Sequence, residues 1–326
     1  MTSLMNTLSQ GSERVEGTVV YIEDRAVGLI RPSLVEGIDS DNFHYFGGPS
    51  GISIVHDPDK KECIIESLIE AGGIIFGDQS EIEQVQSLFI NDTTSRTASY
   101  FCCIARNCSA LINAFRNINS SKVLILGCGG IGSMTALQLA GAGIGSLTMI
   151  DDDVVEKSNL NRQYVWTNSD IGRNKVDILV KAINDRFLST CEGINEKVST
   201  TFFEELDQSY DAIVISADEP LGLAEDLLSR VGEAELPLIV SCGYFQDRAI
   251  VKLWDEKSVK KCRAEGKYVN GRRYENFIGP SFGPMNMEIA AIAASAVLHG
   301  IAFSSESRLT EENKSKEYSW KPCYYA

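Results

Sequence analysis

The residues best suited to chemistry begin with a glycine-rich loop, Gly127-Cys-Gly-Gly-Ile-Gly132, which follows an apolar run and opens a predicted helix. Glycines at this spacing allow a tight turn and let an anion approach the backbone, while the free N–H groups of the helix attract negative charge. Asp151 ends the next predicted strand, where a carboxylate can hold ribose hydroxyls. The pattern therefore predicts a nucleotide site that includes Gly127, Gly129, Gly130 and Gly132.

The loop alone does not identify the nucleotide. A P-loop requires Lys at the position of Ser133, which excludes that interpretation. Glycines can also serve only the close packing of a helix on a strand, and the fingerprint taken alone is typical of NAD-dependent oxidoreductases. These alternatives remain open on the loop alone.

The segment after Asp151 carries further polar residues in a characteristic order. It reads Ile150-Asp-Asp-Asp-Val-Val-Glu-Lys-Ser-Asn-Leu-Asn-Arg-Gln163, followed by Asp170-Ile-Gly-Arg-Asn-Lys175. A strand-end Asp, then Ser-Asn-Leu-x-Arg-Gln, then Gly-x-x-Lys resembles the ThiF, MoeB and ubiquitin-activating superfamily of ATP-dependent adenylating enzymes, over roughly residues 91 to 303. The resemblance implies ATP and Mg²⁺ as cofactors and a homodimer.

The resemblance also implies roles for individual residues. Asp151 would bind the ribose, and Arg162 and Lys175 would bind the triphosphate. Asp218 matches the family's magnesium-binding aspartate, and Arg96 matches an arginine that reaches the partner subunit's ATP across a dimer interface. The remaining nucleotide-binding residues that it implies are Asp153, Asn159 and Gln163. Without the motif, Arg162 and Lys175 would be surface charges, and Asp218, just before Pro220, would be a helix N-cap.

The cysteines depart from the pattern of many relatives, which hold a structural zinc through two Cys-x-x-Cys pairs. The nine cysteines include no Cys-x-x-Cys, and Cys262 and Cys323 stand singly in the corresponding regions, so we expect no zinc. Cys242 follows a strand and is expected to be a buried small residue rather than a thioester nucleophile.

The length of chain before Arg96 resembles the peptide-modifying members of the superfamily, those of the microcin C and pantocin A pathways. The segments Ser216–Pro220, Gly243–Asp247 and Phe282–Asn286 resemble the same members. We therefore expect a winged-helix-like α+β peptide clamp at residues 1–90 that recognises the leader of a ribosomally made precursor, an adenylation domain at 91–303 and a polar extension at 304–326. The favoured activity is adenylation of a glutamate side chain, leading to dehydration and cyclisation during antibiotic biosynthesis. The alternatives are adenylation of a peptide C-terminus with nucleotide transfer, an NAD-dependent oxidoreductase, or an inactive peptide-binding homologue.

Secondary-structure patterns place these residues on an α/β fold. Apolar runs at Lys122–Leu126, Ser146–Ile150, Ala212–Ile215 and Pro237–Val240 alternate with helical patterns at Ser133–Ala142, Asn174–Phe187 and Leu221–Val231. That alternation predicts a Rossmann-like, mostly parallel sheet with helices on both faces. The N-terminal part predicts a hairpin over Thr18–Ile30 and helices over Lys60–Ala71 and Ser80–Ile90. Ser80 and Glu83 are predicted to form a capping box. The family resemblance implies that the basic segment Lys252 to Tyr274 is a crossover loop over the substrate. Its Arg272 and Arg273 either meet an acidic peptide or belong to a solvated basic loop, and the second alternative is favoured.

Composition narrows the partners and the location. Lys and Arg total 30 against 45 for Asp and Glu, a net charge of −15, which argues against a broad nucleic-acid surface. The apolar stretch from Ile278 to Phe303 is broken by glycine and proline, which leaves about 15 residues, short of the ~20 that a spanning helix needs. We therefore expect a cytoplasmic protein in which this stretch is a buried core helix.

Overall fold

A computed structural model describes Leu4, Leu8 and residues 12–198, 210–217, 222–230, 237–245, 247–254, 259–260, 274–304 and 317–320. The chain divides into two compact units, Met1–Arg116 and Asn117–Ala326.

The first unit combines two antiparallel sheets with helices. In chain order its elements are β1 (Glu13–Glu16), β2 (Val19–Ile22), β3 (Arg25–Ile30), β4 (Val35–Ile38), β5 (His44–Gly48), β6 (Gly51–Ile54), α1 (Lys61–Glu70), β7 (Ile74–Phe76), α2 (Gln79–Ile90), α3 (Ser95–Ile104) and, at the boundary, α4 (Cys108–Ser120). One sheet has the order β1-β2-β3-β7 and the other has the order β4-β5-β6. Phe46, Ile64 and Leu68 lie at the centre of their core. The predicted α+β character of this region is confirmed.

The predicted hairpin in this unit is confirmed, and the hairpins β1–β2, β4–β5 and β5–β6 were not predicted. Val19–Ile22 pairs with Arg25–Ile30 through a turn in which Glu23 and Asp24 both have positive φ. The stretch Gly47–Gly51 contributes the ends of β5 and β6 and the tight turn between them. Glycines in both strands hide the alternation of apolar and polar residues that marks a strand.

The N-cap of α2 lies two residues before the predicted N-cap. Ser80 and Glu83 do not form the capping box. Asp78 is the N-cap: its Oδ1 accepts from the Glu81 N–H at 2.9 Å, and Glu81 Oε2 accepts from the Asp78 N–H at 3.2 Å. The two candidate boxes have the same three-residue spacing, so the spacing alone does not distinguish them. The box at Asp78 and Glu81 lets the helix begin one residue before Ser80.

The second unit is built on a mostly parallel sheet. In chain order its elements are β8 (Lys122–Leu126), α5 (Gly132–Gly141), β9 (Ser146–Ile150), α6 (Lys175–Asn184), β10 (Thr190–Ile194), β11 (Ala212–Ile215), α7 (Leu223–Arg230), β12 (Leu238–Phe245), β13 (Arg248–Trp254), α8 (Gly283–Ala302) and β14 (Glu317–Trp320). The sheet order is β10-β9-β8-β11-β12-β13-β14. The first five strands are parallel, and β12, β13 and β14 pair antiparallel. The predicted α/β fold with a mostly parallel sheet flanked by helices is confirmed.

Two features of this unit differ from expectation. The predicted crossover loop begins at Lys252, yet Arg248–Trp254 is strand β13, which pairs along its length with β12. The apolar helix α8 has 20 residues rather than about 15, because Gly283 and Pro284 lie in its first turn, where proline is tolerated. By length and composition alone α8 could cross a membrane, but half of its most apolar window is buried inside the protein, as in a core helix.

Candidate nucleotide-binding site

A cleft of about 420 Å³ lies at the carboxyl ends of β8, β9 and β11, within the second unit. The strand order reverses at this place: β9 lies on one side of β8, and β11 lies on the other. Open parallel sheets bind ligands at such a reversal, because the loops on the two sides diverge there. The predicted nucleotide-binding glycines, Asp151, Asp153, Asn159, Arg162, Gln163 and Lys175 lie along this cleft, except Gly132, which packs behind the loop.

The glycines of the loop have different physical tasks. Gly127 has a φ of +90°, and a Cβ there would lie 2.6 Å from the Ala217 nitrogen. A Cβ on Gly132 would lie 1.9 Å from the Gly127 carbonyl oxygen, so this position must stay bare for α5 to pack against the loop. Gly129 is different, because its nearest neighbour would be the Gln163 amide nitrogen at 3.8 Å. Gly129 therefore leaves open space in which a phosphate can reach the backbone.

Asp151 braces the glycine loop from the end of β9. One carboxylate oxygen accepts from the Cys128 N–H at 2.6 Å, and the other accepts from the Asp153 N–H at 2.9 Å. Burial raises the pKa of Asp151, while the Lys175 charge and these two N–H donors act in the opposite direction. Each carboxylate oxygen can accept more than one hydrogen bond, so this arrangement leaves capacity for ribose hydroxyls.

Lys175 is the buried cation of the cleft. Its side chain is 6% exposed, and its Nζ lies 2.6 Å from the Asp153 carboxylate and 4.0 Å from that of Asp151. The Lys175 N–H also donates to the Asp153 carbonyl oxygen, which fixes the start of α6 against this loop. The structure thus brings together Asp151, Asp153 and Lys175, which were each predicted to bind the nucleotide; their roles stay predictions.

The Asn-Leu-x-Arg-Gln segment forms a compact turn on the cleft wall. The Asn159 side-chain oxygen accepts from the Glu156 N–H at 3.0 Å, and the Gln163 side-chain oxygen accepts from Trp166 Nε1 at 2.7 Å. The second bond leaves the Gln163 amide nitrogen facing Gly129. Arg162 is partly exposed, and its guanidinium donates to the Ser158 carbonyl oxygen and to Asn161. Arg162 thus holds a positive charge at the cleft without an acidic partner among the described residues.

Other predicted residues lie elsewhere. Asp218, the predicted magnesium ligand, lies outside the described residues, as do Cys262, Cys323, Arg272 and Arg273. Arg96 belongs to the first unit, where it is exposed on α3. Its predicted reach into a partner subunit stays a prediction.

The cleft also contains residues that sequence reasoning missed. Lys197 follows β10, Tyr244 lies in β12, and Ser281 and Asn286 lie at the start of α8. No local motif marks Lys197 or Ser281. Tyr244 and Asn286 fall in segments that resemble the peptide-modifying members, but no site role was predicted for either residue. The carboxyl-end location of Lys197 would have been a usable signal, but β10 itself was not predicted, because Thr190-Cys-Glu-Gly-Ile194 lacks a continuous apolar run.

Two cysteines lie near the cleft: Cys128, which is buried, and Cys242, which is partly buried. Cys242 Sγ lies 3.7 Å from the Ile215 carbonyl oxygen, and burial raises the pKa of this thiol to about 12. Burial also raises the pKa of Cys128, in the glycine loop, well above its usual value. A thiol with so high a pKa holds almost no thiolate at neutral pH, which supports the expectation that Cys242 is not a nucleophile.

The fold and the cleft together define an α/β protein in which a glycine loop, a strand-end aspartate and the cations Arg162 and Lys175 line one cleft. Residues 109–320 match the model of the ThiF family. The chain belongs to the ThiF family.

Curated relatives match a short part of this protein. Adenylyltransferase and sulfurtransferase uba4 of Aspergillus niger is 36% identical over 108 residues, which is 32% of this chain and 22% of the relative. A probable molybdopterin-synthase adenylyltransferase of Pyropia yezoensis is 41% identical over 103 residues, or 31% of this chain and 27% of the relative. This chain thus matches about a quarter of the length of these relatives.

Solved structures match over most of the chain. E. coli MccB with AMPCPP and MccA superposes with a TM-score of 0.67 at 20% identity, over 90% of this chain and 96% of that one. PaaA superposes with a TM-score of 0.56 at 21% identity, over 89% of this chain and 99% of that one. At these identities the likeness establishes a shared fold.

Proposed function

We propose that this protein is an ATP-dependent adenylating enzyme that activates a carboxylate of a ribosomally made peptide. The observation that carries the proposal is the cleft, which is lined both by the open backbone at Gly129 and by the cations Arg162, Lys175 and Lys197. ATP brings several negative charges, and these groups supply N–H donors and positive charge where phosphates need them.

The proposed reaction joins two anions. A substrate carboxylate oxygen attacks the α-phosphorus of ATP, the bond to the bridging oxygen breaks, and pyrophosphate leaves with that electron pair. Charge grows on the phosphoryl oxygens during this step, so positioning and fixed cations supply most of the stabilisation. Arg162 and Lys175 are the cations that we assign to the triphosphate, and Asp151 is the residue that we assign to the ribose.

Magnesium is proposed to arrive with the triphosphate. Carboxylate oxygens are the ligands that Mg²⁺ prefers, and ligand atoms of Asp151, Asp152 and Asp153 lie within 4.8 Å of one another. The Lys175 ammonium already lies against two of these carboxylates, so the three aspartates by themselves do not fit a magnesium site. Asp218 remains the residue that we propose for the ion, which would neutralise phosphate charge.

A peptide substrate is supported by the fold neighbours and by the first unit. MccB, the microcin C7 biosynthetic enzyme, has been solved in complex with N-formylated MccA. In this chain Ile22, Ile69 and Phe76 are exposed around a small apolar depression on the sheet β1-β2-β3-β7. The strand β1 is an edge of that sheet among the described strands, and an extended peptide can add to such an edge. We propose this surface as the leader clamp of a homodimeric enzyme.

The substrate carboxylate that we favour is a glutamate side chain, with cyclisation after activation. The alternative within this class is activation of a peptide C-terminus with transfer of the nucleotide. An NAD-dependent oxidoreductase is the rival outside this class, and it gives no role to the cations Arg162 and Lys175.

Mass spectrometry tests the proposal. Short peptides encoded beside the gene are incubated with the protein, Mg²⁺ and ATP, and pyrophosphate release is measured in parallel. Loss of water supports side-chain activation, and gain of an adenylate mass supports nucleotide transfer. Thermal stabilisation by NAD but not by ATP, or no pyrophosphate with any peptide, would contradict the proposal.

The clamp has its own test. Ile69→Ser should weaken precursor binding severalfold and leave ATP affinity unchanged. Ile90→Ser is the matched control, because Ile90 is 80% exposed on α2 and does not line the depression. Equal precursor affinity of the Ile69 variant and the wild type would show that this surface does not bind the precursor.

A further inference from the structure

Asn286 is buried at the point where three parts of the cleft meet. It lies near the start of α8, is 2% exposed and lines the cleft. Its amide nitrogen donates to Ser281 Oγ at 3.2 Å and to the Arg162 carbonyl oxygen at 3.4 Å. A Cβ on Gly130 would lie 2.3 Å from the same nitrogen, so the amide packs directly on the glycine loop. The nitrogen end of this side chain is therefore held on three sides.

The oxygen end of the same amide has no hydrogen-bond donor among the described residues, although it is buried. A reversed amide would set this oxygen against the Arg162 carbonyl oxygen, and two acceptors cannot bond to each other. The orientation is therefore fixed by the protein. Buried carbonyl oxygens are nearly always paired, so an unpaired one beside a ligand cleft indicates that a ligand brings the donor.

The chemistry of the neighbourhood narrows the source of that donor. Gly130 belongs to the loop at the start of α5, where phosphate oxygens are expected. Phosphate oxygens only accept hydrogen bonds, so they cannot satisfy an amide oxygen. The ribose hydroxyls of ATP are assigned to Asp151, at the end of a different strand. The adenine amino group of ATP also donates, but the ribose separates it from the phosphates that are expected at this loop. The remaining source of donors is the molecule that carries the carboxylate, and in a peptide the donor nearest a carboxylate is a backbone N–H.

We infer that Asn286 is a substrate-binding residue whose side-chain oxygen accepts a hydrogen bond from a peptide N–H next to the activated carboxylate; this rests on the proposed function. The same amide contacts the glycine loop and the Arg162 backbone, so it links the position of the peptide to that of the phosphates. Asn286 thereby selects carboxylates carried by peptides over simple acids that have no N–H near the carboxylate.

The test combines a protein variant with a substrate analogue. The probes are the peptide that gives turnover in the mass-spectrometric experiment and copies of it in which one N–H near the modified carboxylate is replaced by N–CH₃. Asn286→Ala should raise the KM for the peptide about 10-fold to 100-fold, with a smaller change in kcat and an ATP KM within about twofold of wild type. For the wild-type enzyme, one of the methylated peptides should show a similarly raised KM. For Asn286→Ala, the same methylated peptide should have a KM no higher than that of the unmethylated peptide.

The control variant is Asn117→Ala. Asn117 also donates its amide to carbonyl oxygens of α8, those of Ile301 and Ala302, but at the opposite end of the helix and outside the cleft. It should lower stability without changing the KM for the peptide. Equal sensitivity of wild type and Asn286→Ala to every methylation, or parallel loss of ATP and peptide affinity, would overturn the inference while leaving the adenylation proposal intact. Absence of wild-type turnover with every peptide would overturn both.

Discussion

Lys175 is held by two carboxylates inside the cleft. Its ammonium is buried and contacts Asp153, so the phosphates that we propose to bind there would compete with an internal carboxylate for it. A buried ammonium costs free energy unless it is paired, and Asp151 and Asp153 supply that pairing.

Replacing Lys175 should affect chemistry far more than peptide recognition. Lys175→Ala is expected to lower pyrophosphate release about 100-fold to 1000-fold, because a fixed cation on the phosphoryl oxygens is removed. Precursor binding, measured by fluorescence anisotropy, should stay within about twofold. Lys181→Ala is the control, since Lys181 lies on the same helix and forms an exposed ion pair with Asp185. Wild-type turnover in the Lys175 variant would remove it from the phosphate site.

Two glycine substitutions separate ligand contact from packing. Gly129→Ala should fold with an unchanged melting temperature, since its Cβ meets nothing closer than 3.8 Å, yet lose roughly tenfold or more in ATP affinity. Gly132→Ala should lower stability by about 1–3 kcal/mol, because its Cβ would overlap the Gly127 carbonyl oxygen. Differential scanning fluorimetry with and without ATP measures both effects. The opposite assignment, a destabilised Gly129 variant and a stable Gly132 variant, would contradict this division of roles.

At the scale of elements, sequence patterns found the central strands and missed the outer ones. β8 and β11 are almost fully buried and read as apolar runs, whereas β9 alternates buried with partly buried residues; all three have the predicted bounds. The edge strand β10 and the glycine-bearing β5 and β6 lack such runs. In the site, the glycine loop and the motif from Asp151 to Lys175 could be recognised in the sequence because the residues of each lie close together along the chain. Lys197 and Asn286 come from distant segments, and only the folded sheet and α8 bring them to the cleft.

The capping box of α2 supplies a prediction about an element. Asp78→Ala should lower the free energy of unfolding by about 1 kcal/mol, because the Glu81 N–H loses its acceptor. Ser80→Ala is the natural control: Ser80 is exposed, lies inside the helix, and its hydroxyl oxygen accepts only a long bond from Gln84. Urea denaturation compares the two. A larger loss for the Ser80 variant would return the cap to the position expected from the sequence.

Whole-molecule stability should depend on pH through α8. Burial lowers the pKa of His299, so the folded state binds this proton less readily than the unfolded state, whose value is near 6.5. Stability is then complete above pH 6.5 and falls as the pH falls through the lower, folded-state pKa. The contribution of Asp151 to the pH dependence has the opposite sign. Its pKa is raised in the folded state, so ionisation of Asp151 lowers the stability as the pH rises above the unfolded-state value of about 3.8.

His299→Gln should therefore flatten the loss of melting temperature between pH 7.5 and pH 5, two values that lie about a unit or more either side of the unfolded histidine pKa. His56→Gln is the control, because His56 is exposed in the first unit. Equal pH profiles for the wild type and the His299 variant would place the acid sensitivity elsewhere.

The strand order of the second unit has a consequence for how the chain is made. β8 is synthesised first and lies inside the sheet, β9 and then β10 follow on one side, and β11, β12, β13 and β14 follow in turn on the other. Each described strand thus meets an edge that is still free when it leaves the ribosome, and none has to enter between two strands already paired. The sheet can therefore grow outward from β8, the strand that precedes the glycine loop. Strands that have already paired do not have to separate to admit a later strand, a step that would slow folding.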